Sequence, residues 1–152
     1  MPTRYKGTLK EELSLNTYIK LTRAAESLNG RLFPGGKFAG LTGSQFGTLE
    51  VLYHLGPMCQ GEIGGKILKS SGNMTMVIDN LEKRGLVCRE RDQQDRRQVI
   101  VRLTEAGQQM IDQVFTDHLD CIVEQFDVLS AEEQQALGAL LKKLGRQLET
   151  GP

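Results

Sequence analysis

Residues 70–103 read SSGNMTMVIDNLEKRGLVCRERDQQDRRQVIVRL, a helical pattern followed by a strand pattern. Gly85 is placed to end the helix, since glycine readily adopts the left-handed conformation of a helix C-cap. Strand-like runs at 86–91 and 98–103 flank the polar stretch 92–97, which predicts a β-hairpin with a charged tip. The buried face of the helix is predicted from apolar residues three and four positions apart: Met74, Val77, Ile78 and Leu81.

Two short helices are predicted upstream of this stretch. Thr42 followed by Gln45 has the pattern of a capping box, which begins a helix that Gly56-Pro57 ends. Residues 60–68 form the next short helix. Three short helices followed by a hairpin are the elements of a winged helix-turn-helix, which we therefore predict for residues 42–103.

Longer helices enclose this predicted core. An apolar stripe at helical spacing runs along residues 9–33, and residues 104–149 contain two further helices, the last with a wide leucine face. Because a small core cannot cover all these stripes, we expect dimerisation helices and a homodimer. The predicted fold is mainly α (α+β), a single domain over residues 1–152. The leucine face consists of Leu137, Leu140, Leu141, Leu144 and Leu148.

Composition and charge narrow the class of protein. The chain is 39% hydrophobic and 25% charged, as in ordinary globular proteins. It has no apolar run near the roughly 20 residues of a membrane span, and residues 1–13 lack a secretory core, so we expect a cytoplasmic protein without a membrane partner. The net charge is zero, but the charged residues are unevenly distributed along the chain. The segment charges are +3 in residues 1–59, +3 in 60–103 and −6 in 104–152. A basic surface suited to nucleic acid is therefore predicted.

Four motifs resemble those of the MarR family of transcriptional regulators, in the family's order and spacing. Residues 41–46, LTGSQF, resemble L-T-x-x-Q-F before the second helix, and residues 81–87, LEKRGLV, resemble L-E-x-x-G-L-V after the recognition helix. Asp95-Arg96-Arg97 resembles the wing motif D-R-R, and residues 103–107, LTEAG, resemble the L-T-x-x-G that follows it. The resemblance covers about residues 10–148.

The resemblance implies a repressor that binds double-stranded DNA at a pseudo-palindromic operator and is released by a small aromatic or phenolic ligand or an electrophile. Residues 67–75, ILKSSGNMT, are similar to the branch of the family that responds to quinones and related electrophiles. The main alternative is a winged-helix protein-interaction module that has lost DNA binding. Such a module should lack exposed polar groups on its recognition helix and basic residues on its wing.

The N-terminal half of a recognition helix enters the major groove. Asn73 is the strongest candidate contact, because asparagine is a poor helix former and lies off the apolar stripe. Ser70 and Ser71 either cap the helix or bond to DNA, and the lysines either neutralise phosphates or are simply solvated. The predicted contacts on this part of the chain are Ser70, Ser71, Asn73, Thr75, Met76, Lys66 and Lys69.

The hairpin tip is the predicted minor-groove element. Asp95 stands two residues before Arg97, where its carboxylate can hold the guanidinium extended for insertion. Arg96 is expected to meet phosphate or brace the wing. The alternative is that two exposed arginines only keep the protein soluble.

Candidate residues for binding an effector and for a redox-active thiol lie outside the predicted DNA contacts. The family resemblance implies an effector cleft beside the dimerisation helices, for which Tyr18, Thr22, Tyr53 and His54 are candidates; buried aromatic residues that only satisfy the core are the alternative. Cys59 precedes the short helix at residues 60–68, where a lowered pKa and reaction with electrophiles are the hypothesis.

No metal, cofactor or enzyme activity is expected. The three cysteines form neither a disulfide framework nor a CxxC pattern, and Cys88 and Cys121 fall in apolar patterns that favour packing. His54 and His118 lack partners at metal-ligand spacing. Motifs of common enzyme classes are absent, which leaves a peroxidase role for Cys59 as the remaining enzymatic hypothesis.

Overall fold

The structure, a computed structural model, describes residues 3–67 and 71–146, with the side chains of residues 71 and 72 outside that description. Six α-helices and five strands are present in these ranges. In chain order they are α1 (Leu9–Leu32), β1 (Lys37–Phe38), β2 (Leu41–Thr42), α2 (Gly43–Leu55), β3 (Met58–Cys59), α3 (Gln60–Ile67), α4 (Ser71–Lys83), β4 (Val87–Arg91), β5 (Val99–Leu103), α5 (Glu105–Phe126) and α6 (Ala131–Gly145). These elements confirm the mainly α, winged-helix class.

Capping boxes begin three of the helices. In α2, the Thr42 hydroxyl accepts the Gln45 backbone N–H, and the Gln45 side chain accepts the Thr42 N–H. Ser130 begins α6 with the same exchange of hydrogen bonds. Thr8 begins α1 in this way too, a cap that was not predicted. Each box satisfies two backbone N–H groups that the helix itself leaves unbonded.

The hairpin predicted at 86–103 is confirmed as β4 and β5, which pair antiparallel from Val87 opposite Leu103 to Arg91 opposite Val99. A third strand was not predicted: β3 pairs with the other edge of β5, giving the order β3-β5-β4. The separate β1–β2 hairpin was also not predicted. Both consist of two-residue strands, too short to show the alternation by which a strand is recognised.

The core lies where α2, α3 and α4 meet the hairpin. The apolar spacing of α4 is confirmed, since three of its four predicted residues are fully buried and Val77 is half-buried. Most of the core is contributed by residues of the predicted winged helix. The buried set is Leu41, Phe46, Leu49, Leu52, Met58, Ile63, Met74, Ile78, Leu81, Leu86, Val87, Val101 and Ile111.

Gly85 ends α4 as predicted. With φ of 71° it adopts the left-handed conformation, its N–H bonds to the Glu82 carbonyl, and the Leu86 N–H bonds to the Leu81 carbonyl. This is a Schellman C-cap, which satisfies carbonyls at the helix end and directs the chain into β4.

The start of α5 is fastened to this turn. The Thr104 N–H donates to the Leu86 carbonyl, and the Thr104 hydroxyl bonds to the Gly85 carbonyl and to the Gly107 N–H. A Cβ at Gly107 would overlap the Leu86 carbonyl oxygen and lie 2.9 Å from its carbon. The L-T-x-x-G motif therefore has a physical reason: only glycine permits this close approach.

Backbone contacts divide the chain into two compact units, Met1–His118 and Leu119–Pro152. The second unit contains the end of α5 and all of α6, whose leucines are exposed at 137, 140, 141 and 144, while Leu148 lies outside the described residues. The predicted division into a winged core at 42–103 and dimerisation segments at 9–33 and 104–149 stays a prediction. Over the described ranges, no helix combines the length and apolar character needed to cross a membrane.

Candidate DNA-binding site

The outer face of α4 carries the predicted base contacts. Met74 and Ile78 anchor the helix in the core, while Asn73, Thr75 and Met76 lie on the exposed side. Met76 is 66% exposed, unusual for a large apolar side chain and suited to contact with a thymine methyl group. This arrangement leaves polar and apolar groups exposed on one face of a helix whose opposite face is buried in the core.

Part of the predicted set cannot be placed. Lys69 and Ser70 lie outside the described residues, as does the Ser71 side chain, so their roles stay predictions. Lys66 is exposed on α3. Gln60, the first residue of α3, donates from Nε2 to the Thr75 hydroxyl at 2.8 Å. This bond braces the two helices of the helix-turn-helix, a role that the sequence reading did not assign to Thr75.

At the wing tip, Asp95 contacts both the backbone and the side chain of Arg97. The Asp95 carboxylate accepts the Arg97 backbone N–H at 3.1 Å and lies 3.7 Å from Arg97 Nε, while the Arg97 side chain is 95% exposed. Arg91 donates from its guanidinium to the Arg96 carbonyl at 3.0 Å. The backbone of the tip is therefore held by side chains on both sides, and the Arg97 guanidinium projects into solvent.

Arg89 joins the wing to the recognition helix and was not predicted. Its guanidinium lies 2.6 Å from Asp79 and 3.1 Å from Glu82, both on α4, and its backbone N–H also donates to Glu82. The Arg89 side chain is only 24% exposed, so the pairs are partly shielded from water. A signal was present in the sequence: two carboxylates three positions apart share one helix face, and an arginine follows on the next element.

The effector candidates fall into two groups. Tyr53 and His54 on α2 contact each other and both contact Phe115 of α5, with ring centroids 5.0–6.1 Å apart. A hydrogen bond to Asp112, together with the charge of that carboxylate, raises the pKa of Tyr53. Tyr18 is 64% exposed and, among the described residues, takes no part in these ring contacts. The Thr22 hydroxyl donates within its own helix, to the Tyr18 and Ile19 carbonyls.

The expectation of a lowered Cys59 pKa is wrong. Cys59 lies on β3, half-buried, and its Sγ donates to Gln98 Oε1 at 3.2 Å. Burial raises the pKa of the Cys59 thiol, and the nearby carboxylates of Glu62, Asp92 and Asp95 raise it further. The sequence reading counted the positive helix start and missed this acidic surrounding, which favours the protonated and unreactive thiol. Cys88 and Cys121 are half-buried, in keeping with packing roles.

A recognition helix with an exposed polar face, braced against its neighbour and joined to a wing that carries a projecting arginine, defines a winged-helix DNA-binding protein. Comparison with known sequences identifies the family within this class. Residues 41–99 match the MarR family. An uncharacterized HTH-type transcriptional regulator of Bacillus subtilis, YkoM, is 38% identical over 134 residues, covering 88% of this chain and 87% of YkoM. The HTH-type transcriptional regulator MhqR of the same organism is also 38% identical over 134 residues, covering 88% and 92%.

Solved structures of transcriptional regulators also have folds similar to that of this chain. A probable transcriptional regulator from Pseudomonas aeruginosa has a TM-score of 0.73 at 30% identity, covering 82% of this chain and 93% of that one. NadR, solved in complex with 4-hydroxyphenylacetate, has a TM-score of 0.73 at 25% identity, covering 95% and 97%. The chain belongs to the MarR family of transcriptional regulators, whose members are DNA-binding proteins and not enzymes.

Proposed function

We propose that the chain is a homodimeric repressor that reads a pseudo-palindromic operator with α4 in the major groove and the wing tip in the adjacent minor groove. The observation that carries this proposal is the pairing of Asp95 with Arg97, because it extends an almost fully exposed guanidinium at the place where a minor-groove reader is needed. A protein-interaction module without DNA binding would have no use for this arrangement. Asn73 and Met76, exposed on α4, supply the base contacts.

Exposed apolar side chains support the dimer. On α1, Leu9 and Leu13 are exposed although they belong to its apolar stripe, and the α6 leucines are exposed in the same way. Apolar surface of this extent favours association with a second copy. A two-fold dimer places two recognition helices against half-sites about 10 base pairs apart, which requires an operator with inverted symmetry.

The ring cluster of Tyr53, His54 and Phe115 supports a small phenolic or aromatic effector. Tyr53 presents a hydroxyl that Asp112 holds by a hydrogen bond, next to apolar ring faces. A phenol can stack on such rings, and its hydroxyl group can compete for this hydrogen bond. The solved complex of NadR with 4-hydroxyphenylacetate, at 25% identity, is in keeping with this ligand class. The raised pKa of Cys59 favours a reversible ligand over a thiol-reactive electrophile as the releasing signal.

The effector proposal is tested by titrating labelled operator DNA, obtained by selection from a random double-stranded library, with the full chain. We expect 4-hydroxyphenylacetate to release the DNA and Tyr53→Phe to weaken that release. Tyr5→Phe, at an exposed tyrosine before α1, is the matched control and should respond like the parent. Benzoquinone serves as the electrophile probe. Release by benzoquinone that Cys59→Ser abolishes, with no response to the phenol, would contradict the phenolic proposal and restore the thiol mechanism.

A further inference from the structure

His118 is a buried polar residue that lies outside both the predicted DNA contacts and the Tyr53–His54–Phe115 ring cluster. It lies on α5 with 5% of its surface exposed, and its Nδ1 is buried without a hydrogen-bond partner. Buried polar atoms in folded proteins are nearly always hydrogen-bonded, so an unpartnered ring nitrogen is a notable exception. Such an atom is tolerated only while the imidazole is neutral.

Three phenylalanine rings enclose this imidazole. Their centroids lie 5.2 Å (Phe33), 4.9 Å (Phe38) and 4.3 Å (Phe46) from its own. The rings come from three different places, the C-cap of α1, β1 and α2, so His118 joins α5 to all of them. We call these four residues the aromatic cage.

The aromatic cage is continuous with the support of the recognition helix. Phe46 belongs to the same buried cluster as Met74 and Ile78, which anchor α4. A change in packing at His118 can therefore alter the packing of α4 through the side chain of Phe46, which belongs to both groups. Contiguous packed side chains of this kind are a physical route by which one site biases another.

We propose that the aromatic cage makes operator binding sensitive to acid, because protonation of His118 disrupts the packing that holds α5, α2 and the β1–β2 hairpin together. The proposal rests on the DNA-binding function described above.

A proton on His118 would place a charge among three hydrocarbon rings with no acceptor at Nδ1. Burial lowers the pKa of His118, and the negative charge of Glu50 on α2 opposes that effect. Phe33 at the α1 C-cap and Phe38 of β1 present uncharged rings to the imidazole, and among the described residues Glu50 is the charged group that acts on it. Attraction between an imidazolium and aromatic faces offsets only part of the loss of hydration.

The direction of the pH effect follows from this lowered pKa. Above about pH 6.5, the ordinary value for histidine, both folded and unfolded chains hold a neutral imidazole and the cage imposes no penalty. Below that pH the unfolded chain takes up the proton first, so the stability of the folded state falls as the pH falls. Acidification usually strengthens protein–DNA association by adding positive charge, so a loss of affinity would be distinctive.

The test compares operator affinity at about pH 7.5 and about pH 5.5, which bracket the ordinary histidine pKa and lie above those of most carboxylates. We expect the parent to lose affinity by about fivefold or more, the low end of couplings between sites. His118→Phe, which fills the cage without a titratable group, should lose less than about twofold. Arg23→Ala, at an exposed position of α1 outside the cage, is the control and should keep the parent's loss.

Two measurements on the DNA-free protein separate this proposal from the DNA-binding function. The His118 imidazole resonance should titrate below about pH 6.5, and the urea midpoint of the parent should fall on acidification more than that of His118→Phe. If His118→Phe does not fold, His118→Gln takes its place. An imidazole that titrates at or above its ordinary pKa, or a pH dependence identical in parent and His118 variants, would overturn the proposal.

Discussion

At the scale of single residues, the wing depends on one carboxylate and one guanidinium. Asp95 fixes the backbone of Arg97 and lies close to its Nε, which lowers the conformational entropy that the arginine loses when it enters a groove. An exposed ion pair of this kind adds little to stability. Its contribution is therefore expected in DNA affinity and not in folding.

Arg97→Ala should weaken operator binding by about 1–3 kcal/mol, the usual range for one good DNA contact, and Asp95→Ala by a smaller amount. Fluorescence anisotropy at physiological salt measures both. Arg23→Ala, an exposed arginine on α1, is the control and should bind like the parent. Equal affinity of all three variants and the parent would show that the wing tip does not read DNA.

Gly107 is a residue whose replacement should affect folding. Because an added Cβ meets the Leu86 carbonyl, Gly107→Ala should lower the free energy of unfolding by at least about 1–3 kcal/mol, the range for overpacking. Gly65, an exposed glycine of α3 with open space around it, is the matched control. Gly65→Ala should stabilise by about 0.5–1 kcal/mol. Urea unfolding that shows no difference between the two variants would refute the close approach.

At the scale of elements, Arg89 of β4 links the wing to the recognition helix through two ion pairs. Because the guanidinium binds two carboxylates of α4 and is partly buried, Arg89→Ala should lower the free energy of unfolding by about 1–3 kcal/mol, as for other hydrogen bonds to charged groups. Arg102→Ala breaks an exposed pair with Glu90 and should change stability by less than about 1 kcal/mol.

Arg89→Lys distinguishes positioning from simple charge. A lysine keeps the positive charge but cannot bind both carboxylates in the arginine's planar geometry. We therefore expect Arg89→Lys to fold nearly as well as the parent yet bind operator more weakly, measured by anisotropy. Full DNA affinity in Arg89→Lys would mean that the pairs do not set the position of the wing.

The long elements could be predicted from the sequence, and the short or purely tertiary features could not. The α4 helix and the β4–β5 hairpin were recognisable because apolar period, cap and turn residues agree over 34 residues, 70–103. The two-residue strands β1, β2 and β3 carry no period. The His118 cage joins residues from four elements, and the carboxylates of Asp92 and Asp95 act on Cys59 from more than 30 positions away, so local pattern does not show these features. The two carboxylates that bind Arg89 left a local signal, but local pattern does not show which side chain they bind.

At the scale of the whole molecule, the proposed two-fold operator recognition requires two copies of the chain. Light scattering should give twice the 16.9 kDa chain mass at micromolar concentration. Leu140→Asp places a charge on the exposed leucine face of α6 and should yield monomer or aggregate, because burying an unpaired charge in an apolar interface is strongly unfavourable. Lys142→Asp, a charge change at an already polar position of the same helix, is the control. A stable monomer of the parent would exclude the proposed dimer.

The central claim is that α4 and the wing read a two-fold symmetric DNA site. Selection of double-stranded DNA from a random library by the full chain, followed by hydroxyl-radical footprinting, tests it most directly. We predict an inverted repeat with half-sites about 10 base pairs apart, protected in both halves, and its loss when Asn73→Ala is combined with Arg97→Ala. Failure to enrich any sequence, or protection of one half-site only, would contradict the account.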